Sequence, residues 1–267
     1  MIDLRSHILD GAPCGPASFD ESLAMCWAAV ASGVRTIVAT PLWEAGRSEP
    51  PLPFADCADK LMRLESEMRG TLSFRLGFSL QFCAELPELA AHHGSKLALA
   101  GKRHLLISLP SVEIPSEVES VWSALARSGF SVVLAHPECN PLLRRDAARL
   151  TRWVAAGLTL QVDAASIVGI HGREVKRFAV ECLRTYEGYV VVASNARWGV
   201  EQGNRLGHAR EVLTDTVGAS RSSALVKETP AALIGDSIRR GVARGVSFRA
   251  LTALLRSFNL LRALTSE

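Results

Sequence analysis

The chain has 267 residues and is predicted to fold as an α/β protein with parallel strands. Short apolar segments alternate with amphipathic segments about seven times, and several amphipathic segments end in glycine. No low-complexity tract, internal repeat or long linker divides the chain. Strand, helix and strand in succession require crossover connections, which make neighbouring strands parallel. A barrel and a doubly wound sheet both satisfy this pattern.

The predicted strands are rich in Val, Ile, Leu and Phe and mostly end in a small or polar residue. After a first strand within residues 1–9, they cover residues 35–40, 74–82, 104–110, 130–137, 158–164 and 189–196. The predicted helices have apolar residues at three- and four-residue spacing and cover residues 20–33, 54–70, 116–129, 146–157 and 172–188. The Pro-rich stretch 46–56 is the most loop-like connection.

The C-terminal segment differs from the rest, so we predict a domain at residues 1–235 and an extension at residues 236–267. Residues 246–267 are predicted to form a basic amphipathic helix. Its apolar stripe consists of Phe248, Leu251, Leu255, Phe258 and Leu261. A stripe of this size needs a cover, which the domain itself, a second subunit or a membrane surface would supply. A homo-oligomer is therefore one of the expected outcomes.

Composition limits the function classes. The chain has 48% hydrophobic residues and a net charge of +3 without a dense basic run, which argues against a nucleic-acid partner. Apolar runs fall well short of the ~20 residues that a bilayer requires. We therefore expect no transmembrane segment and a cytoplasmic location. Six scattered cysteines never form Cys-x-x-Cys, so we expect reduced thiols and not structural zinc or a disulfide framework.

The first strand is close to the metal-binding pattern D-x-H-x-H. It contains Asp3 and His7, but Arg5 stands where the first histidine would be. Side chains two apart on a strand share a face, so we expect these three side chains to lie together. A guanidinium cannot ligate a metal because it stays protonated and has no free lone pair. The pattern is therefore either accidental or an altered site.

Other polar candidates lie at predicted strand ends. In parallel α/β folds, reactive groups collect at the carboxyl ends of the strands. The candidates found there are Pro41, Leu42, Trp43, Ser79, Gln81, His136, Glu138, Asn195 and Arg197.

Six segments follow one another along the chain: "MIDLRSHIL", "ESLAMCWAAVASGVRTIVATP", "LLISLP", "VVLAHPECN", "QVDAASIVGIHGREVKRFAVECL" and "VVASNAR". In these segments and their order, the chain resembles the bacterial manganese-dependent tyrosine phosphatases of the polymerase-and-histidinol-phosphatase superfamily. Members of that family, found with capsule and exopolysaccharide genes, typically read D-x-H-x-H, A-T-P-H-H, G-x-E, H-P-E-R and S-D-A-H at these places. The resemblance spans residues 1–235. It implies a distorted parallel (β/α)7 barrel, here with an extra C-terminal helix.

This chain departs from the family motifs mainly at the ligands. The replacements, compared with the motifs, are Arg5, Leu42, Trp43, Ser79, Asn195 and Arg197, with Cys139 in place of an arginine and Pro13 and Cys14 in place of a usual pair of aspartates. The residues that remain are Asp3, His7, His136 and Glu138, which the resemblance implies as residual metal ligands. Each octahedral manganese ion needs about six donors, so this set is too small for two or three ions.

Two functional hypotheses follow, together with a structural alternative. In the first, the acidic residues lost at the positions of Ser79 and Asn195 and the positive charges gained with Arg5 and Arg197 shift the local charge by about four. The two arginines then replace metal charge and bind phosphate without turnover. No cofactor is expected in that case, and the resemblance suggests a phosphotyrosine partner such as the tyrosine kinase of a polysaccharide export system. In the second, a weak metal-dependent phosphoester hydrolase retains manganese or another divalent ion. In the structural alternative, Arg5 and Arg197 have no binding role and form ion pairs with Asp3 and Glu138.

Overall fold

The structure is a computed structural model that describes residues 1–199 and 204–236. Its strands pair in parallel throughout, which confirms the α/β prediction. They are β1 (Ile2–Ser6), β2 (Thr36–Ala39), β3 (Leu42–Trp43), β4 (Ser73–Leu76), β5 (Ser79–Gln81), β6 (His104–Ser108), β7 (Ser131–Ala135), β8 (Thr159–Asp163) and β9 (Val190–Ala193).

These strands form a distorted barrel of seven segments. The hydrogen-bonded orders are β1-β2-β4 and β3-β5-β6-β7-β8-β9, and β3 and β5 continue β2 and β4 after two-residue breaks. A bridge between Ser6 and Ala196 returns the end of β9 to β1. The segments thus follow one another in chain order around a ring, whereas a doubly wound sheet would reverse its order at a switch point. The barrel expectation is confirmed.

The predicted strand at residues 74–82 is split by Gly77. A Cβ at this position would lie 3.0 Å from the Cα of Leu99 and 3.3 Å from a methyl of Val38. Glycine therefore allows the backbone of Leu99 to cross close to the sheet where β4 gives way to β5.

Helices connect the strands at all the predicted places. They are α1 (Phe19–Ala31), α2 (Phe54–Met68), α3 (Leu86–His93), α4 (Val118–Arg127), α5 (Pro141–Arg145), α6 (Ala147–Ala155), α7 (Ala164–Val168), α8 (Arg173–Thr185), α9 (Leu206–Val217), α10 (Ala219–Ser223) and α11 (Thr229–Ile234). The helices α3, α5, α7, α9, α10 and α11 were not predicted. A capping box starts α1, because Ser18 accepts from the Glu21 backbone N–H while the Glu21 carboxylate accepts from that of Ser18.

The hydrophobic core has two parts, and together they occupy all of the barrel except the end that holds the polar groups. The larger part lies between the strands and the surrounding helices. The smaller part contains Leu4, Val133 and Val191 together with Leu233 and Ile234 of α11. The backbone carbonyl of Leu233 also lies 2.9 Å from the ring of His104, at the start of β6. Since α11 covers the amino ends of the strands, the polar site lies at the carboxyl ends.

The predicted helix at residues 246–267 and its apolar stripe lie outside the described residues. Within residues 1–199 and 204–236, no helix is both long and apolar enough to cross a membrane. All six cysteines are free thiols, as expected, and three of them are buried.

Candidate functional site

A cavity of about 410 Å³ opens at the carboxyl ends of β7, β8 and β9. Its polar lining includes the sequence-predicted residues His136, Asn195 and Arg197. It also includes Cys139, Asp163 and His171, which were not among the predicted candidates. The ends of three strands and the connection after α7 thus meet at one place.

Arg5 is buried beside this cavity and is paired with Asp163. Its side chain is 1% exposed, and Nη1 lies 3.7 Å from Asp163 Oδ1 and donates to Gln161 Oε1 at 3.3 Å. Burial lowers the pKa of Arg5, but a guanidinium stays protonated at working pH. The predicted structural pairing of an arginine with a carboxylate is therefore present, with Asp163 as the partner and not Asp3.

Asp3 is engaged elsewhere. Its carboxylate accepts from the Ser194 backbone N–H at 2.9 Å, from the Ser194 hydroxyl at 2.5 Å and from Asn204 Nδ2 at 2.6 Å. Burial raises its pKa. The pairing of β1 with β2 is irregular between Asp3 and Ser6, which breaks the strict alternation of side chains. Asp3 and Arg5 have no side-chain partner in common among the described residues, although a regular strand would place their side chains on one face.

Asn195 links His7 to Asp163. Its Nδ2 donates to Asp163 Oδ2 at 2.8 Å, and its Oδ1 lies 3.3 Å from His7 Nε2. We infer from this network that His7 is protonated on Nε2, which leaves Nδ1 as an acceptor with no partner among the described residues. Burial, and then the charges of Arg5 and Arg197, lower the pKa of His7 well below its ordinary value. The ring is therefore neutral at pH 7.

Glu138 and His136 are also uncharged at neutral pH. Burial and the neighbouring Asp163 raise the pKa of Glu138 to about 8, although Oε1 accepts from the Asp163 backbone N–H at 2.8 Å and from Ser166 at 2.7 Å. Burial, followed by the charge of Arg5, lowers the pKa of His136 to about 4. Arg197 and Arg205 line the cavity, and Arg5 lies beside it in contact with the Asp163 carboxylate. An electropositive cavity is the expectation from the motif replacements.

Arg197 lines the cavity itself. Its Nε is buried and has no hydrogen-bond partner among the described residues. In the same part of the chain, no ion pair joins Arg197 to Glu138, so the second predicted structural pairing is not found. A buried N–H donor without a partner is costly, and a ligand with acceptor oxygens would satisfy it.

The predicted candidates on β3 and β5 do not line this cavity. Gln81 is exposed, and its Oε1 accepts from the Ala45 backbone N–H at 3.2 Å. Trp43 is 2% exposed, its ring packs edge-on against Phe78 at 5.3 Å, and Nε1 donates to the Arg47 carbonyl at 2.8 Å. Trp43 therefore anchors the loop that follows β3 and is not part of the cavity. The hydroxyl of Ser79 is buried without a partner among the described residues.

Three donor side chains missed by sequence reasoning come together. Ligand atoms of Cys139, Asp163 and His171 all lie within 4.8 Å of one another. Asp163 ends β8, so the rule that selected the other strand-end residues should have selected it as well. His171 lies on the connection between α7 and α8, and nothing in its sequence neighbourhood indicates a site.

Sequence reasoning also missed that Cys139 and Arg145 have the Cys-x5-Arg spacing of cysteine-dependent phosphatases. Such a loop needs a thiolate and free backbone N–H groups around the phosphate. Here burial and the nearby Glu138 raise the pKa of the Cys139 thiol. Asn140 Oδ1 accepts from the N–H groups of Leu142 and Leu143 at 2.9 and 3.3 Å, and Arg145 is exposed. The spacing therefore does not form a phosphate-binding loop.

Comparison with known proteins gives consistent results. The family model "Capsular polysaccharide synthesis, CpsB/CapC" matches residues 1–235. The tyrosine-protein phosphatase YwqE of Bacillus subtilis is 31% identical over 199 residues, covering 73% of this chain and 77% of that protein. The tyrosine-protein phosphatase CpsB of Streptococcus pneumoniae is 23% identical over 89% of this chain and all of that protein. A solved structure from a study of YwqE and CpsB as metal-dependent tyrosine phosphatases superposes with a TM-score of 0.78 at 27% identity, covering 89% of this chain and 96% of that one.

Proposed function

Since the chain belongs to the CpsB/CapC family of capsular polysaccharide synthesis, we propose that it is a divergent tyrosine-phosphatase homologue that binds a phosphorylated ligand without hydrolysing it. The observation that carries this proposal is Arg197, which lines the strand-end cavity with a buried Nε that has no partner among the described residues.

The charge of the site supports an anionic ligand. Arg5 offsets the negative charge of Asp163. Because its pKa is raised, Glu138 is protonated at pH 7 and adds no second negative charge. Arg197 then contributes a positive charge that no described carboxylate pairs with. A guanidinium presents a planar set of donors that suits phosphate oxygens. The neutral ring of His136 supplies a further polar contact in the same cavity.

The residual ligand set of the family does not fit a centre of two or three hard ions. Of the four residues, only His136 lines the cavity; Asp3, His7 and Glu138 are buried behind its wall. Arg5 stands at the position of the first motif histidine and offers no lone pair to a metal. A metal centre would supply a polarised phosphoryl group and an activated water. Without a fitting donor set at Asp3, His7, His136 and Glu138, binding is favoured over turnover.

The family suggests the kind of partner. Relatives carry the name tyrosine-protein phosphatase, so we propose a phosphotyrosine protein as the ligand, such as the tyrosine kinase of a polysaccharide export system. A cytoplasmic location and self-association stay predictions.

Titration with inorganic phosphate tests the anion site. We expect saturable binding by the chelator-treated protein, weakening with added salt, and a loss of at least about tenfold in affinity for Arg197→Ala, the equivalent of one charge-assisted hydrogen bond. The matched control is Arg127→Ala. Arg127 is exposed and is the last residue of α4, the helix that leads into β7. A helix that leads into a strand ends near the amino end of that strand, so Arg127 lies at the end of the barrel opposite the cavity. Equal phosphate affinity for wild type and Arg197→Ala would refute the proposal.

A second function, weak metal-dependent phosphoester hydrolysis, is favoured by the cluster of Cys139, Asp163 and His171. Phosphate release from a phosphotyrosine peptide, measured with added manganese and with added zinc, separates the two functions. Release that depends on metal and is lost in His171→Ala supports hydrolysis. Release at the rate of a protein-free control supports binding alone.

A further inference from the structure

We propose that Cys139, Asp163 and His171 form a binding site for one zinc-class divalent cation at the edge of the strand-end cavity. The three ligand atoms lie within 4.8 Å of one another. All three residues line the cavity, which gives an ion a path from solvent. This inference does not depend on phosphate binding, because it concerns the metal alone.

The donor types select the metal. A thiolate, an imidazole and a carboxylate suit Zn²⁺ or Co²⁺ better than manganese, which prefers oxygen-rich sets. Three protein ligands with one position open to water is a usual zinc arrangement. Cys139 stands where the motif of the resembled family has an arginine. The site therefore differs in position and chemistry from the residual set at Asp3, His7, His136 and Glu138.

Neighbouring groups orient two of the ligands. Gln161 Nε2 and Asn195 Nδ2 donate to different oxygens of Asp163, each at 2.8 Å, and hold the carboxylate in place. Cys139 is held by its backbone N–H, which donates to the His136 carbonyl at 3.0 Å. Such second-layer hydrogen bonds fix ligand geometry in metal sites.

The third ligand is brought in by a tight connection. Gly169 and Gly172 on either side of His171 have φ values of 95° and 92°, a region that glycine adopts without strain. This turn between α7 and α8 directs the exposed His171 to the cavity wall.

Charge and protons balance when the ion binds. Cys139 loses its proton to solvent, and the resulting thiolate and the Asp163 carboxylate neutralise one divalent cation. Metal affinity should therefore increase with pH. The charges of Arg5 and Arg197 would then no longer be offset by Asp163, so a bound cation would strengthen the attraction of the cavity for anions.

Cobalt titration of the reduced, chelator-treated protein tests the site. We expect one equivalent of Co²⁺ to bind with a thiolate-to-cobalt charge-transfer band in the near ultraviolet, and Zn²⁺ to displace it. The band should disappear in Cys139→Ser. In His171→Ala, cobalt affinity should fall by at least about tenfold, the lower end of the loss seen when groups around a metal are removed.

Two controls match these variants. Cys14→Ser removes another half-buried thiol, and His208→Ala removes another exposed histidine; both should keep the band and the affinity. Because His171 is exposed, His171→Ala should fold even where Cys139→Ser does not. Absence of the band in wild type, its persistence in Cys139→Ser, or unchanged cobalt affinity in His171→Ala would overturn the proposal.

Discussion

Replacement of Arg5 by methionine should strongly destabilise the barrel. The variant keeps the length of the side chain but removes the charge that lies 3.7 Å from Asp163, in a place where both side chains are at most 3% exposed. Removing one partner of a buried ion pair typically costs about 3–5 kcal/mol, because the other charge is left without compensation. For a domain of this size, 1 kcal/mol corresponds to about 2–4 °C in Tm. The expected fall in Tm is therefore about 6–20 °C.

Thermal and urea unfolding of four proteins measures this effect: wild type, Arg5→Met, Asp163→Asn and the double variant, all with chelator present so that no metal contributes. The double variant should be more stable than the two single losses added together predict, by about 0.5–3 kcal/mol, since the two side chains interact directly. A loss below about 1 kcal/mol for Arg5→Met, or strict additivity in the double variant, would refute the pairing on which the charge argument rests.

Three further predictions concern protonation and packing. Glu138 has a folded pKa of about 8, above its ordinary value of 4.5, so between these two values the folded state binds a proton that the unfolded state has released. Wild-type stability should therefore fall with rising pH in this window, by up to about 1.4 kcal/mol per pH unit, and the loss should be complete above the folded pKa. In Glu138→Gln, urea unfolding on both sides of neutral pH within this window should show a smaller slope, and an unchanged slope would contradict the assignment. Gly207→Ala should lower the free energy of unfolding by about 1–3 kcal/mol, because the alanine Cβ would lie 2.7 Å from the backbone oxygen of Ser32. An unchanged Tm would show that α9 does not contact that carbonyl. Trp43→Ala should cost about 3–5 kcal/mol in unfolding free energy without altering phosphate affinity, and loss of binding by the folded variant would place Trp43 in the site instead.

The barrel could be predicted because its signals are local. Apolar periodicity and glycine stops mark each strand and helix within a few residues, and strand ends mark where polar groups gather. Thus His136, Asn195 and Arg197 were correctly expected at one end of the barrel, and the structure brings them to one cavity.

The partners within the site could not be predicted from those signals. The common face of Asp3 and Arg5 was inferred from strand alternation, but the Asp3 carboxylate accepts from Ser194 and Asn204, and Arg5 pairs with Asp163. No local pattern encodes a bulge or a contact between residues so far apart in the chain.

The same limit explains the missed cysteine and histidine. Cys139 was noted only as a replacement for arginine, and His171 lies in a helix connection whose sequence resembles any other turn. Cys139 comes near Asp163 because it follows β7, which pairs with β8. His171 comes near because it follows the short helix α7, which begins at the end of β8. Only the tertiary structure brings these donors together.

The most direct test of the central claim is recovery of a phosphotyrosine peptide after equilibrium binding to the wild-type protein. The peptide should bind saturably, the matching unphosphorylated peptide should not, and mass spectrometry of the released peptide should find the phosphate still attached after prolonged incubation with added manganese. Peptide recovered without its phosphate, or equal binding of the two peptides, would contradict the account of a phosphatase fold that binds phosphate without hydrolysing it.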